Sequence, residues 1–156
     1  MRFGVLIVLF CSALVAGNGN AIELTVLEGS PVSSMQQLEG KVVLVDFWAS
    51  WCGPCRKSFP WLNQINHQYG SDGLLVLAVN EDQDRAEASR FLAQFPANFS
   101  VLYDQDGALA SDYQVMGMPS SYLIDKKGNI RFRHQGFKQA DVAKYEEHIR
   151  QLLAEE

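Results

Sequence analysis

The seven residues Val42–Trp48, VVLVDFW, run within four positions into Cys52-Gly53-Pro54-Cys55, and this junction constrains the fold more than any other stretch. An unbroken β-branched and aromatic run of that length, opening after Gly40, predicts a strand buried on both faces of a sheet. From Pro54 to Tyr69 apolar residues recur at Phe59, Leu62, Ile65 and Tyr69, a helical stripe closed by Gly70 and expected to kink at Pro60. A buried strand feeding straight into a helix belongs to an α/β architecture, in which function gathers outside the carboxyl ends of the strands.

The rest of the chain agrees with that architecture. Ile22 to Leu27 alternates as a half-exposed strand, and residues 74–80 (LLVLAVN), 99–104 (FSVLYD), 120–125 (SSYLID) and 130–135 (IRFRHQ) read as further strands. Helices are expected over Asp84 to Phe95, Gly107 to Val115 and Gln139 to Leu153, with Lys126 to Asn129 as a hairpin turn. Strands alternating with helices and ending in a hairpin predict a mixed sheet covered on both faces.

The first residues follow another pattern. Arg2 precedes an apolar run from Phe3 to Gly17, and Asn18-Gly19-Asn20-Ala21 follows. One positive charge, a short apolar segment and then small residues form the layout of a secretory signal peptide over residues 1–21, with cleavage after Gly17 or Ala21. The run falls short of the roughly 20 apolar residues that span a bilayer, the alternative being an uncleaved anchor that tethers the protein to the membrane. The protein is therefore expected in the periplasm or otherwise exported. Loss of the leader moves the net charge from −5 to −6, which argues against a nucleic-acid partner. It also removes Cys11 and leaves Cys52 and Cys55 as the only cysteines of the domain that remains; the whole chain is of ordinary globular composition, 47% apolar and 20% charged. A domain of this size has no need of a staple, and a single close pair builds no disulfide framework.

Chemistry then accounts for the pair. With Pro54 as first helical residue, Cys52 lies at the amino terminus of a helix, where unpaired N–H groups and the dipole favour a thiolate, the nucleophilic form. Cys55, one turn in, is placed to attack a mixed disulfide and release product. A structural zinc site wants four ligands, and His67, His134 and His148 are scattered and read as solvated. A Cu(I) site using the two sulfurs with Met116 or Met118 stays open, since soft ligands suit that ion. Asp46, an acid inside the buried run, is expected to have a raised pKa and to exchange a proton with Cys55; the alternative is an edge-strand acid facing water. Met118-Pro119 opens the strand at Ser120. A trans bond is tolerable there, while a cis bond would turn Met118's backbone toward an extended substrate.

VDFWASWCGPC, Pro60 five residues after Cys55, and MGMPSSYLID together resemble the thioredoxin superfamily, and RKSFPWLNQI after the pair resembles its TlpA/ResA-type branch of exported, membrane-facing disulfide reductases. The resemblance implies a thioredoxin-like fold over residues 22–156 with a central helix-strand insertion at Asp84 to Tyr103. It implies a redox disulfide Cys52–Cys55 with Cys52 as nucleophile, Cys55 as resolving thiol, Asp46 as proton acceptor, and a cis Met118–Pro119 bond. Trp51, Gly53, Pro54, Met118 and Pro119 would form the substrate-binding surface. The partners implied are disulfide-containing proteins and a membrane electron donor; the residues themselves carry no sign of an oligomer, and a monomer without cofactor or metal is expected. The sequence departs from the branch at Ser58 and Gln83, where an acid is common, and lacks the lysine that plain thioredoxin pairs with its buried aspartate. A Cu(I)-handling protein, a cytochrome or respiratory-protein assembly factor, and an oxidant or isomerase are the competing readings of the same dithiol.

Overall fold

In the computed structural model, which describes residues 25–27, 38 and 40–155, the run Val42–Trp48 is a central strand without solvent exposure on either face. The strands are β1 (Thr25–Leu27), β2 (Val42–Trp48), β3 (Leu74–Asn80), β4 (Ser100–Tyr103), β5 (Ser120–Ile124) and β6 (Ile130–Gln135). They form one sheet in the order β1-β4-β3-β2-β5-β6. The β2–β3 and β3–β4 pairs are parallel, and the other three pairs are antiparallel, so the sheet is mixed. The expected leader and the residues Ile22 to Leu24 lie outside the described residues. Among the described residues no helix is long and apolar enough to cross a membrane.

The helices are α1 (Gly53–Tyr69), α2 (Arg85–Gln94), α3 (Ala108–Asp112) and α4 (Val142–Ala154). Helix α1 begins one residue earlier than expected, so Pro54 is its second residue, and it continues through Pro60. Helix α3 stops at Asp112, short of Val115, because Gln114 turns into the left-handed region with φ of 53°. The final helix starts with a tight 3-10 turn at Gln139–Asp141. Asp84 caps α2 by accepting from the Ala86 N–H at 2.9 Å, and residues 84–103 fold as the expected helix-strand pair.

Alternation along β2 divides the core into two layers. Val42, Leu44 and Trp48 point to the face covered by α1, α2 and α4, where Phe59, Leu62, Ile65, Phe91 and Ile149 pack. Val43, Val45 and Phe47 point to the other face, against Leu109 of α3, Leu38 and Tyr122. Among the described residues helices lie on both faces, with α1, α2 and α4 sharing one. Asn63 Nδ2 donates to the Pro96 carbonyl and Asn66 Nδ2 to the Asn98 carbonyl, both at 2.8 Å, which fastens α1 to the α2–β4 connection.

Candidate active site

The site is built where β2 ends. Its carboxyl terminus lies beside the start of antiparallel β5, with Phe47 opposite Ser120, so Ala49–Cys52 and the Met118–Pro119 loop emerge at the same end of the sheet. Cys52 has extended backbone angles and is the N-cap of α1; its Sγ accepts from the Cys55 N–H at 3.2 Å. That bond and the orphan amides of the first turn give a Cys52 thiolate a favourable seat. Cys52 and Cys55 are joined by a disulfide across a Cα separation of 5.3 Å. Cys55 is fully buried and Cys52 is 3% exposed. Trp51 is 68% exposed, and Gly53 and Pro54 are exposed beside it.

On the facing loop the Met118–Pro119 bond is cis, the isomer that the residues alone left open. Pro119 is buried, and half-buried Met118 packs against the apolar cluster that includes both cysteines. The loop is held by Ser120 Oγ, which donates to the Gly117 carbonyl at 2.6 Å, and by the Gly136 N–H, which donates to the Pro119 carbonyl at 2.8 Å. Met116, a possible soft ligand on sequence grounds, is 87% exposed. Among the described residues no three His, Cys, Asp or Glu side chains gather to hold a metal ion.

Asp46 is 1% exposed, which excludes the water-facing alternative. It shares the parity of Leu44 and Trp48, so its side chain enters the layer that holds Cys55 and α1. Burial pushes its pKa up to about 7, a rise moderated by the Ser121 hydroxyl, which donates to Oδ1 at 2.6 Å. Oδ2 is buried and has no hydrogen-bond partner. On β3 the residue opposite Asp46 is Ala78, consistent with the missing lysine.

Three features escaped the sequence reading. Asp82 is 3% exposed and accepts from Ser50 N at 2.9 Å, Ser50 Oγ at 2.9 Å and Asn80 Nδ2 at 2.8 Å. It thereby clasps the loop before Cys52 to the end of β3, and the S-W-C spacing carries no trace of it. Glu81 is half-buried among carboxylates; burial first, then Asp104, Asp106 and Asp82, push its pKa up to about 8. Gln83, which takes the place of the branch's acid, is exposed, and at the other departure buried Ser58 donates to the Cys55 carbonyl at 3.0 Å.

The third overturns the reading of His134 and His148 as solvated: His134 is 8% exposed and its Nε2 lies 2.9 Å from His148 Nδ1. The strand alternation was right, but its inward face meets α4: His134 stacks on Tyr145 and His148 on Phe132. Desolvation, then the neighbouring His148 and Lys144, push His134 down to about 4. His67 is exposed as expected.

A mixed sheet whose central strand leads into a helix capped by the first cysteine of a Cys-Gly-Pro-Cys disulfide defines a thioredoxin-fold dithiol protein. The chain belongs to the Redoxin family, which it matches over residues 16–149. It is 33% identical over 107 residues to the thiol-disulfide oxidoreductase ResA of Bacillus thuringiensis subsp. konkukian, covering 69% of this chain and 61% of that protein. It is 32% identical over 145 residues to ResA of Bacillus subtilis, covering 83% of this chain and 80% of that one. The chain thus spans about three-fifths of the length of several curated relatives it matches. Among solved structures it resembles one described as thiol:disulfide interchange protein DsbE from Chlorobium tepidum, with a TM-score of 0.78, 44% identity and coverage of 86% of this chain and 96% of that one. StoA from Bacillus subtilis superposes with a TM-score of 0.68 at 26% identity, covering 80% and 94%.

Proposed function

We propose that this protein is an exported thiol-disulfide oxidoreductase that reduces disulfides in other proteins. The Cys52 thiolate attacks one sulfur of a substrate disulfide, forming a mixed disulfide and expelling the other sulfur as a thiolate. Asp46 accepts the proton of Cys55, whose thiolate attacks Cys52 Sγ and expels the second substrate sulfur. Two electrons pass to the substrate, and the protein is left with the Cys52–Cys55 disulfide. Trp51, Gly53, Pro54 and the Met118–Pro119 loop form the docking surface around the attacked sulfur. Return to the dithiol needs a reducing partner, which for an exported monomer is a membrane protein that carries electrons outward.

The observation that carries this reading is the pairing of Cys52, as the cap of α1, with Cys55 buried one turn behind it. The Gly-Pro between the cysteines matches that of thioredoxin, whose potential of roughly −270 mV is reducing. A Cys55→Ala variant expressed in its native cell is expected to accumulate mixed disulfides through Cys52, absent from the Cys52→Ser, Cys55→Ala double variant. An empty trap under reducing-partner-replete growth would sink the proposal.

A further inference from the structure

The lysine that would steady a buried aspartate from β3 is absent, and Ser121 on the opposite neighbour takes up the carboxyl. Ser121 stands directly opposite Asp46 in the β2–β5 register, on the same face of the sheet, and is 7% exposed. Its hydroxyl makes the single hydrogen bond to the Asp46 carboxyl among the described residues, at 2.6 Å, and leaves Oδ2 buried and unpartnered. Resting on the thiol-disulfide exchange role above, we propose that Ser121 is a positioning residue for it. The hydroxyl fixes one carboxyl oxygen of Asp46, so that the other carries the proton exchanged with Cys55.

The surroundings single Ser121 out. On this face β3 contributes Ala78, and α1 contributes Cys55 and Ser58, whose hydroxyl is committed to the Cys55 carbonyl. Strand β6 places His134 opposite Ser121, and α4 packs Tyr145 and His148 on that histidine. The burial of Asp46 is opposed by the Ser121 bond and by no charged neighbour. A hydroxyl that donates to a carboxylate favours the ionised form, so its removal holds the proton on Asp46 to higher pH. Ser121 also follows Pro119 by two residues, which fastens the proton acceptor to the strand that begins at the docking loop.

The test uses the whole protein in its dithiol form, with 5,5′-dithiobis(2-nitrobenzoate) as the disulfide. The first nitrothiobenzoate released reports attack by Cys52, and the second reports resolution by Cys55. Ser121→Val and Ser121→Thr have the same shape and differ in the hydroxyl, so their comparison separates packing from hydrogen bonding; Ser121→Ala is a third variant if the valine fails to fold. In Ser121→Val the pH limb of the second release is expected to move up by about one unit, roughly a tenfold slowing below the limb, with Ser121→Thr restoring the wild-type profile. The Asp46 carboxyl titration, followed by carbon NMR, should move with it. Coincident titrations in the Val and Thr variants overturn the proposal, as does a titration that moves without altering resolution. Neither readout depends on a physiological substrate, so an empty Cys55→Ala trap and a failed Ser121 test are separate results.

Discussion

At the scale of single residues, Asp46 is a stability liability buried on the sheet face that α1 covers. Its folded pKa of about 7 lies above the ordinary 3.8, so the unfolded chain releases this proton first as pH rises. The stability associated with a protonated Asp46 is complete below about 3.8 and is lost as pH climbs toward 7, a difference on the order of 4 kcal/mol. Asp46→Asn, which keeps an oxygen for the Ser121 hydroxyl and cannot ionise, is therefore expected to be more stable than wild type in urea at pH 8, the two converging near pH 4. Equal urea midpoints at pH 8 would show that the buried carboxyl carries no such penalty. The same substitution is expected to abolish the pH limb of Cys55 resolution near 7.

At the scale of elements, the loop between β2 and α1 is only as well placed as its attachment to the end of β3. Asp82 holds Ser50 through the amide and the hydroxyl, and Asn80 supports the same carboxylate. Hydrogen bonds to a charged group are worth about 1.5–3 kcal/mol each, and Asp82→Ala leaves buried donors unmet. It is expected to destabilise the fold by roughly 2–4 kcal/mol and to accelerate hydrogen exchange at the Ser50 amide far more than at Val45. Undiminished protection at Ser50 would show that Asp82 does not hold this loop. The difference between Asp46 and Asp82 shows what sequence can reveal. Asp46 breaks a continuous apolar run and announces itself, as do Cys52, Cys55 and Met118-Pro119, whose local patterns restrict their chemistry. Asp82 stands in an acidic stretch with an ordinary helix-start explanation, and its partner Ser50 is 32 positions away. Ser121, 75 positions from Asp46, looks from sequence like any strand serine. Strands and helices were legible because their periods are local; the cross-element hydrogen bonds that finish the site were not.

At the scale of the molecule, two buried titratable groups on one face act on stability in opposite directions. His134, lowered to about 4 from 6.5, adds stability that is present above 6.5 and is lost as pH falls toward 4, while Asp46 destabilises as pH rises through much of the same window. His134→Phe, which keeps a ring for Tyr145 to stack on, is expected to lose stability relative to wild type at pH 7.5 and to narrow that deficit on acidification to pH 4.5. A deficit constant with pH would mean that His134 serves only as packing. The histidine pair was missed because alternation in IRFRHQ shows which side chains share a face, and the burial of that face depends on α4, which docks from the far end of the chain. Strand β5 joins these scales. Pro119 precedes it and Ser121 is its second residue, about 7 Å apart along extended backbone. If the Met118–Pro119 loop is the proposed docking surface, that short span puts the docking loop at one end and the carboxyl's tether at the other, so one piece of backbone serves both the grip on an incoming chain and the placing of its proton acceptor.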